Sequence, residues 1–181
     1  LTNEMWNTYD NRLGPVGATP ETGAANGNAT SPAALWDQMY YGIASANTII
    51  ANAEVIEDEG IRNRCLAHAH FLRGYNYYRL AAQYGGVVLQ LEPAEGVVRN
   101  FERATDEETW EQVISDFRDA YTYFEGEVYT YGKGVTWTKA TAAHFLAKAL
   151  LFRASERNDA WNAEYIQGDL TEAIDAATYA I

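Results

Sequence analysis

Apolar residues recur along this chain at helical spacing, and one pattern returns three times. Trp36, Met39, Tyr40 and Ile43 stand at steps of 3, 1 and 3, as do Trp110, Val113, Ile114 and Phe117, and again Leu170, Ala173, Ile174 and Ala177. Residues so spaced share one face of an α-helix. The first set predicts a helix from Ala33 to about Ile56, with Ser31-Pro32 offering an N-cap and a first-turn proline and Glu57-Asp58-Glu59-Gly60 ending it. A second helix is predicted from about Ile61 to Tyr84, with Ala67, Phe71, Tyr75, Tyr78 and Ala82 on its buried side, stopped by Gly85-Gly86. Val87 to Leu91 reads as a short extended run and Glu92 to Thr105 as an irregular connector. Asp106 and Glu107 open a third helix, where acidic side chains suit the positive helix end. Glu125 to Thr138 is a loop rich in Tyr and Gly, Lys139 to about Arg153 a fourth helix, and a fifth begins near Asp169.

In a tetratricopeptide (TPR) hairpin the first helix carries the 3, 1, 3 spacing and the second a small, large, small set at steps of 4 and 3. Ala67, Phe71 and Gly74 match that second set well, and Ala143, Ala147 and Leu150 match it loosely. Small residues let two helices approach, and the large one fills the gap. The predicted fold is therefore all-α, made of irregular TPR-like hairpins with long loops. Two hairpins are complete, and the last helix has no hairpin partner before Ile181. A helical repeat does not bury its apolar face alone, so the natural protein is expected to continue. Leu1-Thr2-Asn3-Glu4-Met5 likewise reads as the interior of a longer chain. Residues 1–32, punctuated by Gly14-Pro15, Gly17, Thr19-Pro20 and Gly23, form a loop segment ahead of a helical region at 33–181. A loop of that length usually has a function of its own or is disordered.

Composition narrows the partners. The 181 residues are 48% apolar, enough for a real core, and carry a formal net charge of -12. That charge repels nucleic-acid backbones and anionic membrane surfaces. No run approaches the roughly 18 apolar residues of a membrane helix, and no charged-then-apolar signal segment opens the chain. The single cysteine, Cys65, sits mid-helix and reads as inert.

Candidate chemistry is sparse. His68 and His70 point about 200° apart on a helix and cannot share a metal, and His144 is distant in sequence. Glu125 and Glu127 can be posed as an acid–base pair but read better as a solvated loop. Gly132-Lys133-Gly134 lacks the spacing of a phosphate loop, and no serine sits in a nucleophile elbow. No cofactor, metal or catalytic group is expected. Arg73 and Arg79 read as salt-bridging to neighbouring helices rather than touching a ligand. Trp36 and Trp110, at the same repeat position, read as core, and Trp161 is ambiguous.

Five blocks carry a resemblance. One is Ala67-His68-Ala69-His70-Phe71-Leu72-Arg73-Gly74-Tyr75-Asn76-Tyr77-Tyr78-Arg79-Leu80 followed by Tyr84-Gly85-Gly86-Val87-Val88-Leu89. The others are Leu35-Trp36 to Ala46-Asn47; Arg103-Ala104-Thr105 with Trp110, Ile114-Ser115-Asp116 and Ala120; Gly134-Val135 with Thr138-Lys139-Ala140; and Ala143-His144-Phe145-Leu146-Ala147-Lys148. Taken in chain order they resemble the SusD/RagB family of nutrient-binding outer-membrane lipoproteins, over about Ala33 to Ile181. Val88 replaces the family's usual Pro, and Val135 its usual Arg. The resemblance implies a cell-surface protein, lipid-anchored through a Cys upstream of this chain. It implies capture of oligosaccharides, with no chemistry, for import by a SusC-like TonB-dependent outer-membrane transporter. Peptide binding within the same family, and a TPR-type protein-interaction adaptor, are the alternatives.

The remaining aromatics fall in loops. Trp6 and Tyr9 stand with Asn7, Asp10, Asn11 and Arg12; Tyr129, Tyr131 and Trp137 form a second group. A sugar ring stacks its apolar face on an aromatic plane while its hydroxyls seek amides and charged groups. Trp6, Asn7, Tyr9, Asn11 and Arg12 supply those types together and are the candidate ligand-binding residues. The competing role for Trp6 is to tack the loop to the core.

Overall fold

A computed structural model describes residues 32–94, 96, 100–124 and 136–181. Among the described residues there are five α-helices and no strand: α1 (Pro32–Asn52), α2 (Glu59–Tyr84), α3 (Asp106–Tyr123), α4 (Lys139–Arg153) and α5 (Ile166–Ala180). Single 3-10 turns follow α1 at Ala53–Val55 and α4 at Glu156–Asn158. The chain divides into two compact units, Leu1–Tyr41 and Gly42–Ile181. In the first, Trp36 tilts against Tyr40 one turn along the same helix, with ring centroids 5.0 Å apart, and is half-buried rather than fully in a core.

The second unit is a succession of helices, α2 on α3, α3 on α4 and α4 on α5. The stripe of α3 lies between its two neighbours. Trp110 stacks on Phe152 of α4 at 4.1 Å, and Phe117 meets both Phe71 of α2 at 5.6 Å and Phe145 of α4 at 5.7 Å. The buried side of α2 runs through Ala67, Phe71, Gly74, Tyr77 and Ala81, so Ala82 is exposed. The register shifts because α2 is packed on more than one side: Asn76 lies against Gly42 of α1 while Gly74 faces α3.

The last helix packs along α4, the second helix of the preceding hairpin, and corrects the sequence reading of its buried face, which is Asp169, Ala173 and Ala176. Leu170 is 40% and Ile174 66% exposed. Alanines permit the close approach, and Asp169 is drawn in by Arg153, so the large aliphatic residues of the 3, 1, 3 set point away.

Helix ends follow local chemistry. Asp58 caps α2 by accepting from the Ile61 N–H at 2.9 Å, which gives the acidic Glu57-Asp58-Glu59 run a structural task. Thr105 caps α3 in a capping box with Glu108, whose carboxyl is held below its ordinary range by hydrogen bonds from the Thr105 backbone and hydroxyl. Thr138 and Thr141 form the equivalent box at α4. Asn158 and Asn162 donate to carbonyls of the last α4 turn, Phe152 at 2.7 Å and Arg153 at 2.6 Å.

The Tyr84-Gly85-Gly86 block has a physical reason at each glycine. Gly85 ends α2 with φ of 72°, a left-handed conformation that side chains resist. Gly86 lies so close to the start of α3 that a Cβ would stand 2.1 Å from the Ala104 carbonyl oxygen. Arg103 closes the junction by donating from Nε to the Gly86 carbonyl and from Nη2 to that of Tyr84. Val87 to Leu91, read from the sequence as a short extended run, is not part of a sheet among the described residues. Its backbone groups pair elsewhere: the Val87 carbonyl accepts from the Ala104 N–H at 2.9 Å, the Val87 N–H donates to Thr109 Oγ1 at 3.2 Å, and Gln90 exchanges two bonds with the Tyr77 hydroxyl.

Gly74 occupies the tight crossing of α2 and α3. A Cβ there would lie 2.9 Å from Asp116 Cβ and 3.2 Å from two ring atoms of Phe117. Gly74→Leu is expected to destabilise the protein by roughly 1–3 kcal/mol through overpacking. Urea unfolding of the full-length protein measures this, and an unchanged midpoint would contradict the crossing.

Candidate functional site

The candidate ligand residues Trp6, Asn7, Tyr9, Asn11 and Arg12 lie outside the described residues, as do Glu125, Glu127, Tyr129 and Tyr131 of the second loop. Of the sequence-selected loop aromatics, Trp137 is described. It is 38% exposed, with Phe71 beneath it at 4.8 Å and His68 beside it at 5.9 Å.

Trp137 begins a row of rings along α2 and α4. Phe145 meets Phe71, Tyr75 and Tyr78 edge-on at 5.5, 5.4 and 5.9 Å. The Lys148 ammonium sits over Tyr78 and Phe145 at 5.7 and 5.5 Å, and Arg79 lies over Tyr75 while donating to its hydroxyl at 3.1 Å. Among the described residues Arg79 thus serves its own helix and bridges to no other, where the sequence reading had it salt-bridging to a neighbouring helix. Burial, with Arg64 nearby, pushes His68 below its ordinary pKa.

Arg73 bridges helices as the sequence reading held. Its Nε and Nη2 donate to Asp116 of α3 at 2.8–3.1 Å, while Nη1 donates to Asn47 Oδ1 at 2.9 Å and the Leu91 carbonyl at 3.2 Å. Both charged partners are buried, and Asp116 is fully so. Asn47 extends the network by donating to the carbonyls of Gln90 and Glu92 at 2.8 and 3.2 Å. One guanidinium thus ties α1, α2 and α3 to the connector after Gly86 and fixes where that connector leaves the helices.

His70 points opposite to His68, as the helical geometry requires, and places Nδ1 3.2 Å from Asp116 and 3.5 Å from Asp119. Ligand atoms of these three residues lie within 4.8 Å of one another. Both Asp116 oxygens already accept from Arg73, whose positive charge opposes a metal cation, so the arrangement acts as an ion-pair network. Burial lifts the Asp119 carboxyl above its ordinary range, with His70 opposing the lift.

A second buried pair joins α4 to α5. Arg153 donates through Nε and Nη2 to the two oxygens of Asp169 at 2.7 and 2.6 Å, and its guanidinium lies 4.2 Å from the Tyr165 ring centre. The Tyr165 hydroxyl approaches Glu107 and Glu111 of α3 at 2.8 Å each. Those bonds, that to Glu111 first, raise its pKa far above the ordinary value. Sequence reasoning missed this pair because nothing in the spacing links Arg153 to Asp169. A basic residue ending one helix and an acidic one in the first turn of the next is the only hint.

Comparison with known proteins places this framework. The SusD-like family, starch-binding proteins associating with the outer membrane, matches residues 6–151. The chain belongs to this SusD-like family. SusD-like protein P2 of Formosa agariphila is 28% identical over 136 residues, which are 74% of this chain and 26% of that protein. A SusD superfamily protein of Bacteroides fragilis superposes with a TM-score of 0.64 at 26% identity, covering 76% of this chain and 28% of that one. A crystal structure with xylogluco-oligosaccharide superposes with a TM-score of 0.70 at 23% identity, covering 82% and 29%. The chain spans about a quarter of the length of these relatives.

Proposed function

We propose that the protein captures oligosaccharides at the outer-membrane surface and delivers them to a SusC-like TonB-dependent transporter, without catalysing a reaction. The observation that carries this reading is the family match, which begins at residue 6 and so takes in the loop bearing Trp6. Xylogluco-oligosaccharide in a structure of the same fold supports a glycan as the ligand class. In this reading residues 1–32 carry ligand contacts and residues 33–181 are the helical scaffold. Arg73, Asp116, Arg153 and Asp169 hold that scaffold rigid and leave the chemistry of recognition to loops. A lipid anchor upstream of this chain keeps the protein at the surface.

The Trp6 indole stacks on a sugar ring, and Asn7, Tyr9, Asn11 and Arg12 meet hydroxyls at its edge. A ring contact is worth about 0.5–1.5 kcal/mol beyond its buried area. With that area included, Trp6→Ala is expected to weaken binding on the order of tenfold or more. Its unfolding midpoint should stay near wild type. Titration of both proteins with the bound glycan, paired with melts, tests this. Full affinity with a lowered melt would make Trp6 a structural tack and move the ligand face elsewhere.

A further inference from the structure

The ring row that begins at Trp137 is covered at its other members. Phe71 is in the core, and Tyr75, Tyr78 and Phe145 are half-buried, while Trp137 is 38% exposed. Its position is firmly held. The backbone passes straight into the Thr138–Thr141 capping box, and the indole rests on Phe71 at 4.8 Å. Phe71 is itself wedged between Phe117 and Phe145 at 5.6 and 5.5 Å. A large apolar residue one place before an N-cap commonly packs on the fourth residue of its own helix. Here that residue is Ala142, whose buried methyl is too small to cover an indole. The ring reaches across to α2 instead and keeps part of its surface open. Beside it stands the half-buried His68, with ring centroids 5.9 Å apart. Burial, and then the charge of Arg64, lowers its pKa and keeps the imidazole uncharged at neutral pH. A neutral imidazole offers one donor and one acceptor nitrogen, which suits a hydroxyl in either sense.

We propose that Trp137 is a second sugar-stacking platform, taking the apolar face of a pyranose ring with His68 at the ring's edge. The inference rests on the glycan reading above and carries ligand contact beyond residues 1–32, to the loop before α4. Size selects the occupant. The open part of one indole is on the order of 100 Å², whereas a stable protein partner covers roughly 800 Å². The neighbouring rings Phe71, Tyr75 and Tyr78 turn toward the edge or face of Phe145 and are spent on one another, so they do not enlarge the patch. One open ring with a hydrogen-bonding edge is what stacking of a sugar requires. Because the indole is already fixed on Phe71, little freedom is lost when the sugar settles on it.

The test uses the full-length protein carrying 5-fluorotryptophan, with the Trp137 fluorine signal assigned through Trp137→Phe. The probe is the soluble polysaccharide that retards the wild type in native gels, xyloglucan and starch being tried first. Adding it should shift the Trp137 signal, a response that a tryptophan serving only to pack α4 on α2 would not give. Trp137→Ala should weaken binding about two- to tenfold, and Trp137→Phe, which keeps a ring on Phe71, by less. A Trp137 signal that stays in place while the wild type binds would overturn this site, even if Trp137→Ala binds worse, and would leave glycan capture standing. Unchanged affinity in Trp137→Ala would do the same. Binding to none of the polysaccharides would overturn both readings together.

Discussion

Replacing Asp116 with alanine is expected to cost about 3–5 kcal/mol, because it strands the Arg73 guanidinium in the interior. Asp116 is fully buried, Arg73 nearly so, and His70 shares the same carboxylate. Arg73 would keep Asn47 and the Leu91 carbonyl, which leave its charge uncompensated. Removing both charges should hurt far less. Arg73→Met with Asp116→Leu keeps the volume and discards both desolvation penalties, so the double variant should recover most of the loss. Urea unfolding of the full-length protein, read at the midpoint with the slope checked, separates the cases. A single variant within about 0.5 kcal/mol of wild type would mean that the pair is solvated, which surface pairs are and this one is not.

Gly86→Ala should lower stability by about 3 kcal/mol, the upper part of the overpacking range. The added Cβ would meet the Ala104 oxygen at 2.1 Å, the Thr105 carbonyl carbon at 2.7 Å and the Asp106 nitrogen at 3.0 Å. All three are backbone atoms, and the Thr105–Glu108 box and Arg103 hold that backbone in place. Gly168→Ala is the contrasting case. Nothing lies within 4 Å of its Cβ position and it sits in α5, so alanine there should gain about 0.4–1 kcal/mol. Equal effects at the two glycines, measured by the same unfolding curves, would contradict the close approach at Gly86.

Much of the helical layout was legible in the sequence because of its punctuation: Gly85-Gly86 ends α2, and Asp106 and Glu107 stand in the first turn of α3. The buried face of α3 was legible too, since that helix lies between two others and all four large residues of its stripe are needed. The same spacing misled at α5, where Arg153 and two alanines set the contact and turned Leu170 and Ile174 outward. The Val87 to Leu91 run read as extended because it is mostly apolar and opens on two β-branched valines. Tyr77, Asn47 and Thr109 take up its backbone instead, and side-chain partners 13 to 43 residues away leave no periodic signal. Arg73 was read correctly as a bridge, but its partner in α3 emerged only from packing. The residues Trp6 to Arg12 were chosen for their chemistry and their place near the chain start, which name a ligand class and no geometry.

Affinity electrophoresis tests glycan capture most directly. The full-length protein is run through native gels cast with single soluble polysaccharides, starch and xyloglucan among them, beside a gel with none. Retardation in at least one polysaccharide gel is expected, reduced by Trp6→Ala in that same gel. Unchanged migration in every gel, with a peptide pool bound in solution instead, would contradict glycan capture.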